Sequence, residues 1–92
     1  MVRDGDYLAV FNSAHRVMKA ESVLKARGVP ILLIPAPRQL LTDCGLALRI
    51  GPEVKDKVMQ ILTDEQLLPE VINRYSNGTY KNVRVEEGDS LK

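Results

Sequence analysis

The chain has 92 residues, of which 45% are hydrophobic and 27% are charged. These are ordinary values for a globular protein, so they exclude an intrinsically disordered chain, and the length fits one domain. The formal net charge of +1 and the small aromatic set, three tyrosines and one phenylalanine, provide neither the basic face nor the stacking platforms of a nucleic-acid-binding protein.

The N-terminal sequence, MVRDGDYLAV, has no long apolar core and carries two acidic residues within six positions. It is unlike a signal or transit peptide, and no apolar run approaches the ~18 residues of a membrane-spanning helix. The single cysteine cannot form an internal disulfide, so nothing indicates an oxidising compartment. We therefore expect a cytoplasmic protein that has neither a membrane nor a nucleic acid as its partner.

The first half of the chain predicts a strand followed by a helix. Tyr7–Phe11, YLAVF, is apolar on both alternating faces, which is typical of a central strand. The next segment has apolar residues at helical spacing, with Ser13 as a good N-cap. Gly28 and then Pro30 end the pattern. We predict a helix from about Ser13 to Arg27.

Two further strands and a second helix are indicated in the middle of the chain. Ile31–Ile34, ILLI, lies between Pro30 and Pro35, and prolines on both sides exclude a helix. Leu46–Ile50, LALRI, is the third strand candidate. Gly51–Glu53 begins a second helix, with proline at its first position.

The last third of the chain leaves two alternatives open. Val71–Tyr75 can form a further turn of helix, or it can pair with Thr79–Val85 as a hairpin around Asn77-Gly78. Thr63–Gln66 has the spacing of a capping box, which indicates a separate short helix. We take Thr79–Val85 as the last strand and expect residues 86–92 to be a tail.

The resulting order is β-α-β-β-α-β, which predicts an α+β domain. A ferredoxin-like plait accommodates it, with a four-stranded antiparallel sheet in the order 4-1-3-2 and both helices on one face. We expect a single domain over residues 1–92, with its ordered core at about 6–85. The ILLI strand would lie at an edge of the sheet, where an apolar strand invites pairing. We therefore expect a homo-oligomer that joins sheet edges or covers the open sheet face.

Cys44 is the one nucleophile in the chain that would be hard to replace. A lone thiol can carry sulfur or selenium, because the cargo arrives and leaves by exchange with partners. Gly45 would let another molecule approach the backbone closely. Arg38 and Arg49 could supply positive charge for substrate binding, whereas the adjacent Asp43 would oppose a negatively charged thiolate.

Cys44 can also be interpreted as a structural residue, because free cysteines often pack as small hydrophobic side chains. A regular strand from position 44 would place it on the face of Leu46, Leu48 and Ile50, in the core. An irregular start to the strand would turn the thiol outward beside Gly45. The alternative to a carrier is therefore a non-catalytic, homo-oligomeric interaction or regulatory module.

The rest of the sequence offers little other chemistry. His15 lies near the start of the first predicted helix, on its polar side, so we expect it to be solvated. One histidine and one cysteine without zinc-like spacing predict no metal site. No Ser-His-Asp arrangement or glycine-rich phosphate loop is suggested, and we expect no cofactor.

Several segments at fixed spacing resemble a known family. These are YLAVF, the helix ending KAESVLKARGVP, the Pro-x-Pro-Arg segment of Pro35–Arg38, and Cys44-Gly45 before LALRI. Over about residues 7–62 the chain is similar to the selenium/sulfur carrier-like proteins. The resemblance implies a carrier rather than a stand-alone enzyme, with Cys44 as the carrying thiol and Arg38 and Gly45 beside it. It also implies a sulfur- or selenium-relay protein as partner and favours a thiol that faces outward at the turn.

Overall fold

The structure is a computed structural model that describes residues 2–40, 42 and 44–83. The predictions for Asp43, for the end of the Thr79–Val85 strand and for the tail at 86–92 lie outside the described residues. The elements are β1 (Tyr7–Val10), α1 (Ala14–Ala26), β2 (Ile31–Pro35), β3 (Leu46–Ile50), one turn of 3-10 helix (Pro52–Val54), α2 (Lys55–Asp64), β4 (Val71–Ser76) and β5 (Thr79–Val83). They form an α+β domain with two helices and an antiparallel sheet.

The sheet has the strand order β2-β3-β1-β4-β5, and every neighbouring pair is antiparallel. β1 is the middle strand, with Tyr7 paired to Ile50 of β3 on one side and to Arg74 of β4 on the other. Its consecutive residues Leu8 and Ala9 point to opposite faces and are both fully buried. A strand that is apolar on both faces is stable only where both faces are covered, which explains its central position.

The prediction of four strands was wrong, because the sheet has five. β4 pairs with β1, and the segment that we took as the last strand follows it as the edge strand β5. Asn77 and Gly78 join the two strands with φ angles of 52° and 79°. Positive φ at both positions is the geometry of a type I′ turn, which Asn-Gly favours strongly. The hairpin alternative is therefore the one that the chain adopts.

The separate short helix at Thr63–Gln66 is also absent. α2 continues to Asp64, and the Thr63 hydroxyl donates to the Met59 carbonyl at 2.7 Å inside that helix. Gln66 then takes a positive φ of 58°, which ends the helical path. The prediction from the capping-box spacing was wrong because Thr63 lies within α2 and does not precede a new helix.

Helix α1 has the ends that the sequence predicts. The Ser13 hydroxyl accepts from the Arg16 N–H at 3.2 Å, which satisfies one unpaired donor of the first turn. At the other end Gly28 has a φ of 75°, and the Val29 N–H returns to the Leu24 carbonyl at 3.0 Å. This left-handed C-terminal turn is the one for which glycine is suited.

Both helices pack on the same face of the sheet. Their buried side chains join those of β1 and β3 in one cluster, which we call the helix-side core: Ala9, Phe11, Val17, Ala20, Leu24, Val29, Leu48, Ile50, Val58, Ile61, Leu62 and Leu67. A smaller opposite-face cluster consists of Leu8, Val10, Leu40 and Ala47. Leu40 reaches it from the connection between β2 and β3, so this connection covers part of the face that the helices leave open.

Neither helix in the described parts of the chain is long and apolar enough to cross a membrane.

The Asn77-Gly78 turn generates a stability prediction. A Cβ at Gly78 would meet no atom within 4 Å, so Gly78→Ala introduces backbone strain without a clash. We expect it to lower the free energy of unfolding by about 1–2 kcal/mol, measured by chemical denaturation. Gly78→Asn is the matched control, because asparagine tolerates the left-handed region, and it should cost less. Equal stability of both variants and the parent protein would contradict the role assigned to this turn.

Candidate functional site

Cys44 lies where the end of β1 meets the start of β3. The pairing of Val10 with Ala47 brings the residue that follows β1, Phe11, beside the residues that precede β3. The Cys44 Sγ is 3.6 Å from the Phe11 carbonyl oxygen and 3.4 Å from the Leu46 carbonyl oxygen. The single thiol proton is thus shared between two backbone carbonyls, one just after β1 and one at the first residue of β3.

The structure places this thiol between the two orientations that the sequence left open. Cys44 is half-buried and packs against the helix-side core, on the side of the sheet that strand parity favours. It is therefore not turned fully outward, as the family resemblance led us to expect. Nor is the residue fully buried.

Gly45 shapes the turn around the thiol. Its φ of +73° lies in the left-handed region, and a Cβ at this position would meet nothing within 4 Å. Glycine is therefore needed for its backbone conformation and not because space is short. The exposed and empty side of Gly45 is where another molecule can approach.

Thr42 is a site residue that the sequence reasoning missed. Its hydroxyl accepts from the Gly45 N–H at 2.8 Å, while the Gly45 carbonyl accepts from the Ala36 N–H at 2.9 Å. Both backbone groups of Gly45 are thus engaged within the chain. A signal was available, because threonine is among the residues whose hydroxyl can bond to the backbone within a turn.

The start of α1 is the second feature that the sequence did not place at the site. Ser13, the N-cap, comes two residues after Phe11, whose carbonyl contacts Cys44. No acidic residue lies in the first turn, and Arg16 donates to the Gln66 carbonyl at 3.4 Å. A helix N-terminus carries partial positive charge, so negative charge near this end of α1 is favoured. His15 is exposed, as predicted.

Arg38 lies in the same connection as Cys44. It is exposed in a turn closed by the Leu40 N–H, which donates to the Pro37 carbonyl at 3.0 Å. Leu40 is buried in the opposite-face cluster, which anchors this turn to the sheet. Arg38 is therefore an exposed residue on a turn whose last residue, Leu40, is buried.

Arg49 is not beside Cys44. It lies five positions along β3, roughly 16 Å away at strand rise, and on the face opposite the helices. Its Nε is 3.9 Å from Oδ2 of Asp6, a buried carboxylate that also accepts from the Arg3 backbone N–H at 2.9 Å. Arg49 therefore belongs to the other end of the sheet from Cys44.

Among the described residues, no three histidine, cysteine, aspartate or glutamate side chains come together as a group that could hold a metal ion.

Comparison with known proteins identifies the family of the chain. Neither the search of curated proteins nor the search of solved structures gave a match. A family model described as "Putative Se/S carrier protein-like" matches residues 6–74. This range contains β1 to β3, both helices and most of β4, together with Cys44. The match confirms the family resemblance, and the chain belongs to this family of Se/S carrier-like proteins.

Proposed function

We propose that this protein is a sulfur or selenium carrier whose carrying group is the thiol of Cys44, and that it acts in a relay with a donor or acceptor protein. The observation that carries the proposal is the position of the thiol. Cys44 is only half-buried, and it lies where the ends of two strands meet the beginning of α1. Membership of the Se/S carrier-like family supports it.

The transfer step needs no group beyond the donor. The Cys44 thiolate attacks the terminal sulfur of a donor persulfide, R–S–SH, forms an S–S bond, and releases R–S⁻. The donor S–S bond breaks as the new one forms, so no external oxidant is required. Delivery is the same exchange onto an acceptor, and a selenium atom in the terminal position follows the same route.

The neighbours of Cys44 suit a charged cargo. A persulfide group attached to the thiol carries negative charge when ionised, and the N-terminal end of α1 favours such a charge nearby. Arg38 is available for an anionic group of the donor. Gly45 leaves its outer side open, so the donor can reach the sulfur without meeting a side chain at that position.

Loading requires the Cys44 side chain to move. Its single S–H proton is shared between the Phe11 and Leu46 carbonyls, and a thiolate has no proton for either contact. Rotation of the side chain away from these oxygens exposes the sulfur on the side of Gly45. The resting structure thus protects the thiol, and a partner that docks at the turn selects the exposed rotamer.

The packing of Cys44 against the helix-side core favours a second candidate, in which the cysteine is structural. The chain would then be an interaction or regulatory module, and the contacts of Cys44 would serve only to close the β1–β3 junction. The two functions differ in one requirement, because only the carrier needs a reactive sulfur atom.

We further propose that the fold is a ferredoxin-like plait extended by β5 at one edge. The consecutive order β4-β1-β3-β2 within the sheet supports this assignment. We retain the cytoplasm as the compartment in which the relay operates, with one free thiol as the supporting observation.

Alkylation of the native protein tests the accessibility of the thiol. We expect iodoacetamide to modify Cys44 to completion, but more slowly than in guanidinium-unfolded protein at the same pH. The thiol has one proton, which the two carbonyls share, and a weak shared hydrogen bond worth about 0.5–1 kcal/mol would slow the reaction by about 2- to 5-fold. Mass spectrometry follows the adduct, and Cys44→Ala gives the background. A native protein that stays unmodified would contradict the carrier function.

Loading with glutathione persulfide tests the transfer step. Under anaerobic conditions we expect the intact mass to increase by one sulfur atom, and a reductant should remove it. Cys44→Ser should gain nothing while retaining its fold by circular dichroism. If the parent protein also gains nothing, or if Cys44→Ser supports the cellular function as well as the parent chain, the structural interpretation of Cys44 replaces the carrier.

Arg38 provides a graded test of the same step. Arg38→Ala removes a positive charge near the anionic donor, and exposed charges are worth roughly 0.2–1 kcal/mol, so we expect loading to slow by about 1.5- to 5-fold. Lys81→Ala is the matched control, because it removes an exposed charge from β5, at the opposite edge of the sheet from β2 and the connection that carries Arg38. Equal effects of the two variants would show that only net charge matters.

A further inference from the structure

The outer edge of β2 has backbone groups that point away from the sheet. β2 is the first strand in the sheet order, and no strand of the described residues pairs with its outer side. The Ala36 N–H donates to the Gly45 carbonyl, one position beyond the pair formed by Pro35 and Leu46. Antiparallel hydrogen bonding alternates along a strand, so Leu32 and Ile34 bond to β3. The N–H and C=O groups of Ile31 and Leu33 therefore point outward.

This edge lacks the features that usually prevent strand pairing. β2 has no charged residue, and its sequence between Pro30 and Pro35 is entirely apolar. Pro35 has no N–H. In the alternating hydrogen-bond pattern an N–H at this position would point away from β3, so its absence costs no hydrogen bond within the sheet. The other edge, β5, is polar, with Thr79, Lys81 and Asn82 exposed.

The two large hydrophobic side chains that are exposed among the described residues both lie on the β2 side of the molecule. Leu32, 46% exposed, projects from β2 on the face opposite the helices, where it is paired with Arg49. Met18, 51% exposed, projects from α1 on the helix face. The unpaired edge therefore has an exposed apolar side chain above it and another below it.

The position of Met18 follows from the contacts of α1. Arg16 and Arg27 bond to Gln66 and Glu65 after α2, so this flank of α1 faces α2. Val17, Ala20 and Leu24 face the sheet. The remaining stripe at helical spacing is on the flank away from α2, above β2: Ala14, Met18, Glu21 and Lys25. Glu21 and Lys25 form an ion pair of 3.1 Å within this stripe.

We propose that a second copy of this chain pairs with the β2 edge, antiparallel and around a two-fold axis, with Leu32 opposite the same residue of the second copy. In this register each Ile31 exchanges both hydrogen bonds with Leu33 of the other copy. The outward groups of Ile31 and Leu33 are then all satisfied, and the missing N–H of Pro35 is not needed. The two Leu32 side chains meet as a non-hydrogen-bonded pair, the closer type of antiparallel pair.

A second copy fits this edge because the surface is complementary to itself. A two-fold axis places the same patch on both sides of the interface, so every group must find its partner within that patch. The β2 edge has equal numbers of outward donors and acceptors at Ile31 and Leu33, with an apolar side chain between them. Above the sheet, antiparallel α1 helices bring Met18 and the oppositely charged Glu21 and Lys25 towards the same residues of the other copy. This surface is independent of Cys44, which contacts β1 and β3 carbonyls.

The first experiment measures molar mass by analytical ultracentrifugation over a concentration series. We expect a reversible dimer for the parent chain. Leu32→Lys should raise its dissociation constant by about tenfold or more, because two like charges then face each other across the symmetric pair. Thr79→Lys is the matched control on the β5 edge and should leave the dimer intact. A parent chain that is monomeric throughout, or two variants that behave alike, would overturn the proposal.

The second experiment tests the register and does not depend on weakening the dimer. Leu32→Cys in a Cys44→Ser background should form an intermolecular disulfide under mild oxidation, because non-hydrogen-bonded pairs have the required Cα separation of about 4.5 Å. Thr79→Cys in the same background should form little. A dimer that crosslinks at neither position or only at Thr79, or a monomer that binds an added extended peptide along β2, would refute the second copy as the occupant of this edge.

Discussion

The pairing of β1 with β3 and β4 is the constraint on which the rest of the structure depends. Leu8 and Ala9 are adjacent in sequence, lie on opposite faces of the sheet and are both fully buried. The strand is therefore stable only where strands pair with both of its edges and side chains cover both of its faces. Its register with β3 places the Phe11 carbonyl beside Cys44 and begins α1 two residues later. The candidate site is therefore a consequence of how the central strands align.

Cys44 has a packing role and, in the proposed function, a chemical one as well. The side chain closes the junction between the helix-side core and the turn, where its sulfur fills space as a small apolar group. The same sulfur lies next to Gly45, whose outer side is open. A carrier thiol benefits from this arrangement, because a half-buried sulfur is shielded from unspecific reaction until a partner reaches the turn. The connection that holds it is anchored at both ends, by Leu40 below the sheet and by Thr42 beside Gly45.

The two edge strands of the sheet differ in polarity. β5, added by the hairpin at Asn77-Gly78, is polar and forms one border. β2 is apolar and carries outward backbone groups at the other border, beside the exposed side chains of Met18 and Leu32. Unpaired apolar edges favour association, so the proposed pairing of two copies uses the β2 side and leaves the thiol at the β1–β3 junction outside the interface.

The sequence by itself determined the local elements and singled out the cysteine on which the proposed function rests. Helix α1 with its Ser13 cap, the proline-bounded β2 and the lone Cys44 follow from local propensity, capping and composition, which need no distant contacts. Tertiary structure decided the rest. Whether Val71–Ser76 became helix or strand depended on the free side of β1, which only the assembled sheet provides. The surroundings of Cys44 likewise depended on strand register, since Phe11 and Thr42 reach it through pairings and turns that sequence spacing does not define. Arg49 is a different case, because its distance from Cys44 follows from the rise of a regular strand, which carries a residue five positions further on to the other end of the sheet.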